Sequence, residues 1–93
     1  MKFPLHIKAE FNWLIKSQTP AIRNMLFCIN GACVTGRIIS LREIESDLFE
    51  IGISFINVDF FRDRDELFVG QPITIQEGMS IIIANGKISE VPV

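Results

Sequence analysis

The stretch Leu5-His6-Ile7-Lys8-Ala9-Glu10-Phe11-Asn12-Trp13-Leu14-Ile15 decides the fold. Leu5, Ile7, Ala9, Phe11, Trp13 and Ile15 take the odd positions. His6, Lys8, Glu10 and Asn12 take even ones, and Leu14 is the only break. A period of two puts one face in an apolar interior and the other in water, which describes a half-buried β-strand and not a helix. The run exceeds the ~5–6 residues of an ordinary strand, and a long twisted strand is most easily covered by wrapping its sheet around it. The expectation is an all-β fold, a small six- to seven-stranded antiparallel β-barrel formed by residues 1–93 as one domain.

Composition narrows the function. The chain is 48% hydrophobic with eight Phe and one Trp, and a domain of this size buries only a little over ~60% of its unfolded surface. Some apolar side chains must therefore stay near water or meet a partner. The formal charge of −2, with nine basic residues scattered among eleven acids, argues against an autonomous strong nucleic-acid binder, which needs clustered Lys and Arg. No signal-peptide h-region and no run near the ~20 apolar residues of a membrane span is read here, so the expected address is the cytoplasm.

Cys28 and Cys33 flank Asn30-Gly31 symmetrically. With Asn30-Gly31 as a two-residue hairpin turn, Ile29 faces Ala32 and Cys28 faces Cys33 at a site where side chains lie close. A cross-strand disulfide is then geometrically open to them. The ordinary reading is two reduced, partly buried thiols in a reducing compartment. One His and two Cys cannot supply four zinc ligands, and neither a metal nor a cofactor is expected.

Along the chain, residues 16–24 read as a loop, 25–29 as a short strand, and 32–41 as its return, with Gly36 a bulge or bend. Residues 42–47 (REIESD) read as a charged connection able to make a single helical turn. Residues 48–56 alternate, with Phe49, Ile51, Ile53 and Phe55 on one face. Residues 57–66 (NVDFFRDRDE) read as the most hydrophilic loop, and 67–69 lead into Gly70-Gln71-Pro72, a strand start. Residues 73–76 alternate, Glu77-Gly78 turns, 79–84 are nearly all apolar, Asn85-Gly86 is a second hairpin signal, and 87–91 close the chain.

In this order the features resemble the third, C-terminal domain of elongation factor Tu, a six-stranded antiparallel barrel of the translational GTPases. The resemblance rests on Ile7-Lys8-Ala9-Glu10-Phe11, on Thr19-Pro20, on Val34-Thr35-Gly36-Arg37-Ile38, and on Gly70 followed by Ile75-Gln76-Glu77-Gly78. It spans essentially the whole chain. No G-x-x-x-x-G-K-[ST] is present, so the GTPase engine is missing. The family's Gly-Tyr-Arg-Pro-Gln segment has no counterpart. Its glycine-rich run after Glu-Gly, near which the family touches the T stem of tRNA, is replaced by Ser80-Ile81-Ile82-Ile83-Ala84. Thr35 survives from the Val-Thr-Gly patch that the family presents towards tRNA, and Arg37 stands two positions on, where the family's segment has Thr.

The residues themselves nominate a few sites. Phe60 and Phe61 are adjacent, so in an extended chain they point to opposite sides. They make either an aromatic anchor inside a charged rim or a plug for one barrel end with its neighbour under the loop. Arg62 and Arg64, among Asp63, Asp65 and Glu66, either orient a partner or belong to a solvated loop whose ion pairs contribute only ~0–1 kcal/mol each. His6, on the wet face beside Lys8 and Glu10, reads as an ordinary surface residue, and Trp13 as core. At least one of Ile81, Ile82 and Ile83 must face outward, covered either by residues 42–47 or by a partner. No nucleophile–base pair, carboxylate dyad or metal set can be assembled, so catalytic and metal residues are none.

These readings converge on a non-enzymatic macromolecule-binding module whose candidate contact residues are Thr35, Arg37, Phe60, Phe61, Arg62 and Arg64. A protein partner is expected, and the resemblance implies a translation GTPase or a tRNA complex. The alternatives are a homo-oligomer that uses a strand edge or the isoleucine triplet, and a weak RNA-binding barrel.

Overall fold

A computed structural model describes residues 3–15, 20–78 and 81–92. Its elements are β1 (Ile7–Trp13), β2 (Asn24–Ile29), β3 (Ala32–Glu45), β4 (Leu48–Phe55), a short helix α1 (Val58–Arg62), β5 (Pro72–Glu77) and β6 (Ile81–Glu90). The strands close into a six-stranded barrel in the order β1-β4-β3-β2-β5-β6, and every pairing is antiparallel.

The alternating stretch forms the wall from which the rest can be read. β1 sits between β4 and β6, with Phe11 opposite Phe49 on one side and Gly86 on the other. Ile7, Ala9, Phe11 and Trp13 are buried, Ile15 packs against the same core, and Leu14 points out. The barrel interior is filled largely by isoleucine: Ile7, Ile38, Ile51, Ile53, Ile73, Ile75, Ile83 and Ile88 are all 1% exposed or less. β-Branched side chains pack well on a pleated surface, and each buried one contributes roughly 1.5–3 kcal/mol. Phe11, Phe27 and Phe55 run through this interior as tilted and edge-to-face rings.

The Asn30-Gly31 turn is present, with φ of +51° and +83°, the positive values that a type I′ hairpin requires. Its register places Cys28 opposite Cys33 and Ile29 opposite Ala32. The thiol reading is corrected here: the two sulfurs are joined in a disulfide, because their Cα atoms lie directly across the hairpin at 4.0 Å.

Four other expectations change. Residues 42–47 are not a helical turn. β3 runs on to Glu45, paired with β4 as far as Leu48, and the chain reverses at Ser46-Asp47, with Asp47 at φ +65°. Asn85-Gly86 is not a hairpin. β6 passes straight through it because Gly86 lies under Phe11, where a Cβ would come 2.3 Å from the Glu10 carbonyl oxygen and 2.7 Å from the ring. Gly36 is a close approach under Phe27 and not a bulge. The register shifts of β3 fall between Ile38 and Ser40 and between Glu43 and Glu45. Finally, residues 57–66 are not all loop, since α1 occupies their centre.

Closure leaves few strand edges. Among the described residues, 40–45 of β3 pair with β4 alone, beyond the point where β2 begins opposite Arg37.

Candidate functional site

One end of the barrel gathers most of the residues singled out from the sequence. β4 ends at Phe55, and α1 folds back across the opening. Phe61 enters the interior, fully buried, with its ring edge-on to Phe55 at 5.4 Å between centroids. It plugs the barrel, so it supports the surface from beneath. Phe60 is its exposed neighbour, 38% accessible and edge-on to Phe61 at 5.5 Å. Helical spacing explains why the pair splits this way: successive residues turn by about a third of a circle, so one can face the core and the next the rim.

The rim is held by Arg64 and Glu66. The Arg64 guanidinium lies 5.2 Å from the Phe60 ring centroid, and its Nε donates to Glu66 Oε1 at 2.7 Å. Asn30 Nδ2, from the β2–β3 turn, donates to Glu66 Oε2 at 2.9 Å. These bonds, Arg64 first and Asn30 second, hold the Glu66 carboxyl below its ordinary range. Arg62 reaches Asp59 at 3.6 Å with both side chains in water, an arrangement of little energetic consequence.

His6 is not an ordinary surface residue. It precedes β1, is half-buried, and its Nδ1 accepts the Phe55 N–H at 2.9 Å while its ring stacks on Phe55. Burial foremost, then the Arg62 charge, lowers its pKa, and Asp59 partly opposes them. Two cavities meet at this ring. The larger, about 490 Å³, is bounded by Phe3, His6, Asn24, Arg37 and Ile56 among others. The smaller, about 320 Å³, lies between His6, Arg62, Asp65, Leu67, Phe68 and Val91. Arg37 thus stands on the same surface as Arg62, though it comes from the barrel wall, where it faces Asn24 and Ser54. Its guanidinium covers the Phe3 ring at 5.0 Å. Thr35 is exposed on β3 and joins the surface through its carbonyl, which accepts the Ile56 N–H at 3.0 Å.

No family model, curated protein or solved structure matches the chain.

Sequence reasoning missed four contributors: His6, and the exposed apolar residues Phe3, Ile56 and Phe68. Ile56 is 73% accessible and Val69, next to Phe68, is 65%, high values for large apolar side chains. The signal that pointed to them was present: Phe3-Pro4 opens the described chain before a strand that cannot include it, and Ile56 follows the last alternating residue.

A second apolar group lies at the other end. Leu14, Ile81 and Ile82 are exposed, and the Leu14 N–H donates to the Ile83 carbonyl at 2.8 Å. Ile83 alone of the triplet enters the core, Ile81 and Ile82 stay exposed, and residues 42–45 continue β3 beside β4 instead of forming a separate covering loop. Thr19, of the Thr19-Pro20 motif, and Met79 and Ser80 lie outside the described residues, as do residues 16–18 of the first loop. Among the described residues no three His, Cys, Asp or Glu form a metal-binding group, and no helix is long and apolar enough to cross a membrane.

Proposed function

We propose that this chain is a non-enzymatic β-barrel module that docks a protein partner through the α1 end. The observation that carries the reading is the pair of guanidinium–aromatic stacks, Arg37 on Phe3 and Arg64 on Phe60, set among exposed Ile56, Phe68 and Val69. Arginine and aromatic residues are the types enriched at interface centres and hot spots. Stacking also holds each guanidinium in place before binding, which reduces the side-chain ordering that association requires. A six-stranded closed barrel is also what the likeness to the third domain of elongation factor Tu implies, and a translation GTPase or tRNA complex is the partner that likeness suggests. Fold alone does not convey function, so the proposal rests on the surface.

A photoreactive phenylalanine analogue at Phe68 tests it. The expected result is a discrete adduct, competed away by unlabelled wild-type protein and not by a Phe60→Ser/Phe68→Ser variant. Absence of any competed adduct overturns the docking reading, and adducts lacking translation components remove the translational partner. Exposed Leu14, Ile81 and Ile82 favour a second reading, a homo-oligomer through the opposite end. Light scattering after gel filtration that shows a monomer at high concentration excludes it.

A further inference from the structure

The 490 Å³ cavity beside His6 differs in its charge from two other surface cavities. The 320 Å³ cavity is lined by Arg62 and Asp65, and a third, on the outer face of β1 and β6, by Glu10 and Lys87. Arg37 is the single ionised side chain lining the 490 Å³ cavity. Among the described residues no carboxylate pairs with it. In a chain with more acids than bases this is an unusual position for an arginine, and the guanidinium is not loose. Phe3 supports its face, and Nη1 donates to Asn24 Oδ1 at 3.4 Å. Among the described residues the rest of its five-donor fork is unspent.

His6 supplies a further donor. Because His6 Nδ1 accepts the Phe55 N–H, the neutral ring carries its proton on Nε2, a second donor at the cavity. Ser54 also lines the cavity, and the rest of the wall is apolar: Phe3, Pro4, Phe55, Ile56 and Val58. A planar fork and one N–H beside an apolar wall suit a carboxylate attached to a hydrophobic body. The volume falls within the ~300–1,000 Å³ range of ligand-sized sites.

We infer that this cavity receives an acidic side chain flanked by an aromatic or aliphatic residue on the partner polypeptide, with Arg37 and His6 Nε2 holding the carboxylate and Phe3, Ile56 and Val58 the apolar neighbour. The inference rests on the docking reading above and names the chemistry of the segment that docks.

Nuclear magnetic resonance titration of the full chain tests it, using the dipeptides acetyl-Asp-Phe-amide and acetyl-Asn-Phe-amide as probes. The expected result is saturable shifts of the Phe55 and Ile56 amides and the His6 ring, with the Asp probe about tenfold tighter than the Asn probe. Arg37→Gln should erase that difference, and Arg37→Lys, which keeps the charge without the fork, should restore part of it. Preserved dispersion of the spectra shows that each variant is folded. Equal affinity for the two probes, or shifts confined to other surfaces, overturns the inference. Tighter binding of 3-phenylpropanoate than of the Asp probe also overturns it, because the ligand is then a free organic acid. A competed adduct at Phe68 with no dipeptide binding sinks this inference alone, whereas dipeptide binding with no adduct sinks the docking reading.

Discussion

Phe55 and His6 are joined twice. The Phe55 backbone N–H donates to His6 Nδ1 at 2.9 Å, and the two rings lie within 6° of parallel at 6.2 Å. The contact requires Nδ1 to be unprotonated, and the folded pKa is lowered from 6.5, chiefly by burial. The unfolded chain therefore takes up a proton at higher pH than the folded one. The stability that neutral His6 provides is complete above about pH 6.5 and is lost as pH falls from there through the folded value. Melting temperatures between pH 7.5 and 5 should decline in the wild type and change less in His6→Asn, whose amide oxygen matches the position of Nδ1 and can still accept the Phe55 N–H. Equal declines in both proteins would remove His6 as the titrating group.

Neighbouring phenylalanines should differ sharply in what they contribute. Phe61 is fully buried against Phe55, so Phe61→Ala is expected to cost about 3–5 kcal/mol, enough to unfold much of a domain this small. Phe60→Ala removes a half-wet ring and should cost no more than about 1 kcal/mol. Urea denaturation of the two variants checks the order, and the prediction fails if they lose similar stability.

Gly86 is required by close approach and not by a turn. Any Cβ there meets the Glu10 carbonyl and the Phe11 ring, and both belong to the central strand. Gly86→Ala should destabilise by about 1–3 kcal/mol. Asn85→Thr, which abolishes the Asn-Gly hairpin signal at an exposed strand position, should change stability by no more than about 0.5 kcal/mol. Thermal melts showing the reverse order would mean that residues 85 and 86 do form a turn.

The Cys28–Cys33 bond closes a loop of only four intervening residues, so it removes little freedom from the unfolded chain. The chain-entropy relation gives about 2 kcal/mol for so short a loop. Incubation with a phosphine reductant should lower the melting temperature by several degrees without unfolding the barrel, and the Cys28→Ser/Cys33→Ser variant should not respond. Collapse of the fold on reduction would contradict this.

The barrel was legible in the chain because its decisive signal, the alternation from Leu5 to Ile15, is a local pattern that tertiary packing left intact. The Asn30-Gly31 turn was legible for the same reason. Asn85-Gly86 misled because the same dipeptide serves two ends: a positive φ, or room for another residue's ring. Only the register of β1 against β6 tells which applies. α1 was hidden because five residues hold too little periodicity to register, and the split of Phe60 from Phe61 follows from that helix. At the surface, Phe60, Arg62 and Arg64 could be found as neighbours in sequence. Arg37 meets His6 and Phe3 only through barrel closure, and no spacing along the chain encodes that meeting.

Residues 40–45 of β3 have hydrogen-bonding groups on one side that no other described strand takes up. Such a row can seed fibres by capturing identical chains. Three of these six residues are charged, Arg42, Glu43 and Glu45, and stacking in register would set each charge against its own copy. The acidic and basic side chains thus act as a guard against self-templated assembly. Exchange of all three for valine should yield thioflavin-positive aggregates at concentrations where the wild type stays clear.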